Sequence, residues 1–269
     1  MLKMPEFKLE IIQSGPKRKT KKPPLLFIHG MFHGAWCWKE HFMPYFSKQG
    51  YTCYAVSLRG HGKSEGKETV WRATVNDYLK DIHRAAEQIL RETGKHPVLI
   101  GHSMGGILSQ LYIEKYPAAG CVLLASVPPW GLMPVTLRVI KKTPLLFLKI
   151  NLKLNMFEFV KTPALFKKAF FYAISNRKII KYHKLISNDS YLAFMQLIFY
   201  KFSSPSKISI PVAVFGGEKD SLLPTPGING TAKAYKSEAE IFQNMGHELM
   251  LEDGHENVAT SIYNWLKKL

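Results

Sequence analysis

The sequence predicts an α/β fold, a mostly parallel central sheet with helices on both faces and a helical cap inserted into it. Three observations carry this. Short, continuous apolar runs recur at 25–28, 51–58, 96–100, 121–125, 211–215 and 239–242, as strands buried on both faces require. Connections long enough for helical crossovers separate most of them. Between Trp130 and Lys207 that rhythm stops, and aromatic-rich sequence of helical period replaces it. Residues 1–129 and 208–269 therefore read as the core and 130–207 as the cap. A chain of 269 residues with 46% apolar content suits one such domain with an insertion.

Phe7 to Gln13 reads as an edge strand, and PKRKTKKPP, Pro16 to Pro24, as a solvated basic loop. Leu25 to Ile28 is a buried strand ending at His29-Gly30. Trp38 to Gln49 is a helix stopped by Gly50, and Tyr51 to Leu58 the next strand. RGHGKSEG, Arg59 to Gly66, is a glycine-punctuated loop. Thr74 to Thr93 places Val75, Leu79, Ile82, Ala86, Ile89 and Leu90 on one helical face, and Gly94 ends it. The strand at His96 to Ile100 runs into GHSMGG, Gly101 to Gly106, and an amphipathic stretch, Ile107 to Tyr116, follows. Cys121 to Ala125, Pro211 to Phe215 and Ala239 to Phe242 are further strands. Asp253 to Leu269 closes the chain as a helix, with Val258, Ile262, Trp265 and Leu266 on one side.

GHSMGG carries the chemistry. In a strand–turn–helix this tight, side chains at 101 and 105 would strike neighbouring backbone, and glycine removes the clash. Ser103 then stands at the sheet's end as a nucleophile. A serine hydroxyl needs a base, and the base needs an orienting group. In this strand order the acid follows the strand at 211–215 and the histidine follows the last strand. GGEKD supplies Asp220, with Glu218 its neighbour in competition, and NMGHE supplies His247. At this point the chain resembles the α/β-hydrolase superfamily over nearly its whole length. The resemblance implies Ser103 as nucleophile, His247 as general base and acid, and Asp220 as its orienter. The backbone N–H groups of Met31 and Met104 would form the oxyanion hole, with their side chains lining an acyl pocket. His29, Gly30, Phe32, His102 and Trp130 are the further candidates for substrate contact, although His102 should turn away from the substrate.

HGMFHGAWCW, His29 to Trp38, is similar to plant methylesterases and hydroxynitrile lyases. RGHGKSEG and GHSMGG look like monoacylglycerol lipases and bacterial lysophospholipases. The lyases carry threonine and lysine where this chain has Gly30 and Glu248, which favours hydrolysis over cyanohydrin cleavage. The expected function is hydrolysis of carboxylic esters with apolar acyl groups through an acyl-enzyme. A non-catalytic receptor or scaffold of the same fold and a lyase-like enzyme are the alternatives. No metal or organic cofactor is implied.

The net charge of +17 points to an anionic partner or surface. Residues 130–207 hold 14 Lys and Arg against 2 Asp and Glu, so most of the excess lies in the cap. Large apolar residues alternate there with lysines. The segment reads as a cap over an apolar entrance, or as an element resting on an anionic membrane, or as a site for anionic substrates. No stacking platform or recognition motif accompanies the charge, which argues against nucleic acid. No apolar run is long enough to cross a bilayer, and the first residues lack a signal-peptide core. Cys37, Cys53 and Cys121 lack metal-ligand spacing and read as reduced thiols in a cytoplasmic protein with peripheral membrane contact at most.

Overall fold

The computed structural model describes residues 7–16, 20–172, 174–199 and 205–269. Positions 17–19 of the basic loop and 200–204 near the end of the cap lie outside the described residues. The strands are β1 (Glu10–Ser14), β2 (Leu25–Ile28), β3 (Cys53–Ser57), β4 (Val98–His102), β5 (Gly120–Leu124), β6 (Val212–Gly217) and β7 (Ala239–Phe242). They form one sheet in the order β1-β3-β2-β4-β5-β6-β7. Every pairing is parallel except that of β1 with β3. The chain runs outward from β2 to β3 on one side and from β4 through β5 and β6 to β7 on the other, so the crevice beyond the carboxyl ends of β2 and β4 is the switch point where such sheets take ligands. Register puts Ile28 opposite Gly101 and Leu124 opposite Phe215. The loops after β2, β4 and β6 therefore emerge at one edge.

The helices are α1 (Trp36–Lys39), α2 (Phe42–Lys48), α3 (Val75–Thr93), α4 (Met104–Ile113), α5 (Met133–Lys142), α6 (Pro144–Lys153), α7 (Pro163–Phe170), α8 (Asn176–His183), α9 (Tyr191–Ile198), α10 (Thr225–Ala234) and α11 (His255–Leu266). Alternate strand residues face opposite sides. Leu25 and Phe27 pack with Trp38, Phe42 and Ile262 on one face; Leu26 and Ile28 pack with Ile82, Leu108 and Ile228 on the other. The segment between β5 and β6 holds α5 to α9 but has no separate core: Ile150, Val160 and Phe166 join the first cluster, Ala193 and Leu197 the second. Among the described residues no helix is long and apolar enough to cross a membrane.

Local signals explain the boundaries. Thr74 and Asp77 form a reciprocal capping box at the start of α3, and Gly94 ends it at φ 72°. The helix expected over 38–49 is instead two, broken at His41. Pro44, which cannot donate within a helix interior, thereby falls in the first turn of α2. Sequence period placed the start of α4 three residues too late, because its glycines hide the helix. The same weak propensity concealed α10, where Gly230 is needed: a Cβ there would lie 2.6 Å from Trp130. Strand β6 runs through Gly216 and Gly217, where a Cβ on Gly217 would meet the Gly246 carbonyl at 2.2 Å.

Candidate active site

The elbow after β4 is held from three sides. Ser103 N–H donates to Leu124 O at 3.0 Å, while its carbonyl accepts from Gly106 and Val127. Its backbone is strained, at φ 52° and ψ −115°. A Cβ on Gly101 would sit 2.4 Å from Gly105 O, and one on Gly105 would sit 2.3 Å from Ile28 O. Both glycines are therefore sterically obligatory. Gly30 approaches from β2, with its hypothetical Cβ 2.9 Å from that of Ser103.

Asp220 follows β6 and His247 follows β7. Asp220 Oδ2 accepts from His247 Nδ1 at 2.7 Å, and Oδ1 accepts from the Leu222 and Leu223 amides. Both residues are buried. His247 Nδ1 carries the proton in this pair, so Nε2 holds a lone pair. Nε2 is itself buried and has no hydrogen-bond partner among the described residues. Burial pushes the imidazole pKa down, but the charge and hydrogen bond of Asp220 outweigh it and the net shift is upward from 6.5. Glu218, the competing acid, accepts from the Asn244 amide and pairs with Lys219.

Ser103 and His247 border one cavity of about 90 Å³. The core lines it with Met31, Phe32 and Met104, and the cap with Thr136, Phe147, Ile150 and Phe170. Among the described residues, no acidic or basic side chain other than His247 borders it. Met104 opens α4, so its N–H faces outward from a helix N-terminus. No hydrogen bond from the Met104 or Met31 N–H is found among the described residues.

Four sequence candidates for substrate contact do not border the cavity. His29 is spent on backbone: Nε2 accepts from Leu58 N at 3.0 Å and Nδ1 donates to Gly30 O at 2.7 Å. Burial, then the neighbouring His61, lowers its pKa to about 3. His102 Nε2 donates to His247 O at 3.0 Å. Gly30 serves as clearance, and Trp130 is 42% exposed and packs over Gly230. Phe32 does border it.

Sequence reading missed four positions. Asp189, fully buried, accepts from Phe32 N (2.8 Å), His61 Nε2 (3.1 Å), Tyr78 Oη (3.1 Å) and Ser190 N (2.6 Å). It ties the cap to the loop after β2, where Phe32 sits at φ 67°. Phe170 O accepts from His247 N, and its ring stacks on the imidazole at 5.7 Å. Glu252 accepts from Gly246 N and Tyr172 N. Glu248 is buried beside His247. A signal for Asp189 existed: Glu158 and Asp189 are the two acids of the basic segment, and both are buried.

His102, His247 and Glu248 are the one group with metal-ligand proximity among the described residues. His102 Nε2 and His247 Nδ1 are already committed to a carbonyl and to Asp220.

The sequence matches the family described as serine aminopeptidase, S33 (Hydrolase_4), over residues 19–254. The chain belongs to this family, with an α/β-hydrolase fold. It is 31% identical over 115 residues to Methylesterase 10 of Arabidopsis thaliana, covering 42% of this chain and 40% of that protein. The chain thus spans less than half the length of the curated relatives it matches. A thermophilic esterase from Thermogutta terrifontis superposes with a TM-score of 0.74 at 21% identity, over 97% of this chain and 94% of that one. A monoacylglycerol lipase from Paleococcus ferrophilus superposes with a TM-score of 0.68 at 20% identity, over 96% and 98%.

Proposed function

We propose that this S33-family protein hydrolyses carboxylic esters with apolar acyl groups. One observation carries the reading. A buried Asp220–His247 pair leaves one imidazole nitrogen unbonded, and His247 and Ser103 border the same apolar cavity. His247 takes the Ser103 proton as the hydroxyl attacks the ester carbonyl, and the oxyanion rests on the N–H groups of Met31 and Met104. His247 then protonates the departing alcohol. Water, activated by the same nitrogen, releases the acid from the acyl-enzyme.

The cavity favours an ester over a peptide. An aminopeptidase must hold a charged amino terminus, and among the described residues no acidic side chain borders this cavity. Its apolar lining suits a hydrocarbon acyl group. Relatives named as methylesterases agree in reaction type. Gly30 and Glu248 disfavour the lyase alternative. The test is a series of p-nitrophenyl esters from two to twelve carbons with wild type and Ser103→Ala. The reading expects a maximum at medium length and loss of turnover in the variant. Turnover of no ester would favour the scaffold alternative, and faster cyanohydrin cleavage the lyase.

The cap gives the same reading a second partner, an anionic lipid surface. Leu145, Leu148 and Leu152 form one stripe of α6 and are 80%, 53% and 77% exposed. Lys149, Lys153 and Lys161 surround the single carboxylate of Glu158, which leaves positive charge beside the stripe. The opposite flank of α6 lines the cavity through Phe147 and Ile150. Three buried cysteines, none in a disulfide, fit a reducing compartment. Cytoplasmic residence with peripheral membrane contact is the location this implies.

A further inference from the structure

Glu248 is completely buried, yet among the described residues neither of its carboxyl oxygens has a hydrogen-bond partner. Two histidine rings face it. His33 Nε2 lies 3.5 Å from Oε1, and His102 Nδ1 lies 4.0 Å from Oε2. Both ring nitrogens are buried and unpartnered as well. Their far nitrogens fix the tautomers: His33 Nδ1 is 2.7 Å from Met31 O, and His102 Nε2 is 3.0 Å from His247 O. A carbonyl only accepts, so those nitrogens carry the protons. Each ring therefore turns a lone pair toward Glu248. A second proton on either ring is disfavoured. Burial lowers the His33 pKa to about 4, and burial with the charge of His247 holds His102 well below 6.5.

An ionised Glu248 would bring only acceptors together, with no proton among them. We propose that Glu248 is kept as a neutral carboxylic acid that donates its O–H to His33 Nε2. This one proton joins the loop carrying Met31 to the loop carrying His247 in a single clamp. The two distances fit that assignment. The shorter one is on the donating side, and the longer one separates the carbonyl oxygen from the second lone pair. A shift of roughly 0.5 Å brings the shorter contact to ordinary hydrogen-bond length.

The groups facing this carboxyl are His33 from the loop after β2, Cys37 from α1, His102 from β4, Asp220 after β6, and His247 and Glu252 on its own loop. Burial pushes Glu248 up first. The charge of His247 opposes this, Glu252 and Asp220 add to it, and the net pKa is about 8. Trp36 stacks on His33 at 5.2 Å, and Phe166 and Phe170 close the remaining sides of that ring. Glu248 is thus a positioning residue. It touches no substrate, and it acts through His33 on Met31.

The kinetic consequence rests on the ester-hydrolase reading; the protonation does not. Glu248→Gln keeps a donor that cannot ionise, and Glu248→Leu removes it. Above about pH 8 the wild-type kcat should fall, while Glu248→Gln holds its rate. Below about pH 8, Glu248→Leu should lose about tenfold in kcat with KM little changed. Thermal midpoints supply a readout independent of activity. Between pH 4.5, where the unfolded carboxyl ionises, and about 8, the folded protein keeps a proton that the unfolded chain has lost. Wild-type stability therefore falls with rising pH across that window relative to Glu248→Gln, and the gap then levels off. A gap that does not change with pH overturns the neutral carboxyl, whatever the activity. A pH-dependent gap with the same alkaline loss of rate in Glu248→Gln overturns the clamp. If wild type turns over no ester, the proposed function fails while the thermal series still decides the protonation.

Discussion

Replacing Asp189 should separate the cap from the catalytic loop after β2. Its carboxylate is fully buried and receives four donors, one of them the ring of His61. Orphaning a buried donor costs about 1–3 kcal/mol, and breaking a buried ion pair about 3–5 kcal/mol. These overlap, so Asp189→Ala should cost about 4 kcal/mol and Asp189→Asn, which keeps one acceptor oxygen, about 2 kcal/mol. The alanine variant should melt about 10 °C lower. Urea unfolding with an unchanged slope would place the loss in the folded state. The pH dependence has a definite sign. The folded pKa of Asp189 lies below 3.8; burial opposes this, but the charge and hydrogen bond of His61 prevail. Its stabilisation is therefore present above 3.8 and is lost as pH falls through the folded value. Burial lowers His61, but Asp189 prevails there too and the net shift is upward from 6.5. That part is complete below 6.5 and is lost as pH rises through the folded value. The gap between wild type and Asp189→Asn should thus be widest between about pH 4 and 6.5. The freed Phe32 can relax from φ 67°, moving Met31, and kcat should drop about 10- to 100-fold. A gap below about 1 kcal/mol, or one flat from pH 4 to 9, would refute the reasoning.

Three further outcomes follow from the same geometry. The rising limb of kcat/KM against pH should lie above 6.5, because Asp220 raises His247 despite its burial; stopped-flow ester hydrolysis in wild type measures it, and Asp220→Asn should cut kcat by about 10³–10⁴. Gly105→Ala should fail to yield folded protein, since its Cβ would sit 2.3 Å from the Ile28 carbonyl, and circular dichroism and soluble yield report this. Wild type should sediment with vesicles containing phosphatidylglycerol but not with neutral ones. Replacing Leu145, Leu148 and Leu152 with glutamate should abolish that, and each lysine removed around Glu158 should weaken it about fivefold.

Some of the site could be read from the chain because its causes are local or topological. Gly101 and Gly105 announce the elbow by sterics within a few residues. Asp220 and His247 follow from the order in which a parallel sheet delivers its loops to one edge. His29 and Trp130 misled because proximity in sequence to a catalytic loop does not say which way a ring turns. His29 and His102 satisfy buried backbone instead. The cavity wall was hidden for another reason. Helical period shows that Phe147 and Ile150 share a side of α6, but not what that side faces. Asp189 lies within SNDS, which reads as a polar turn, and only its long-range donors give it away. Glu248 gains its meaning from two rings 215 and 146 residues earlier in the chain.

The central claim is that Ser103 is made nucleophilic by the Asp220–His247 pair. The direct measurement is reaction of the wild-type protein with a fluorophosphonate, followed by mass spectrometry of the peptide containing Ser103. The account predicts one adduct per chain on that serine, with labelling slowed by orders of magnitude in His247→Ala. Ester turnover by a protein whose Ser103 stays unmodified, or equal labelling without the imidazole, would contradict it.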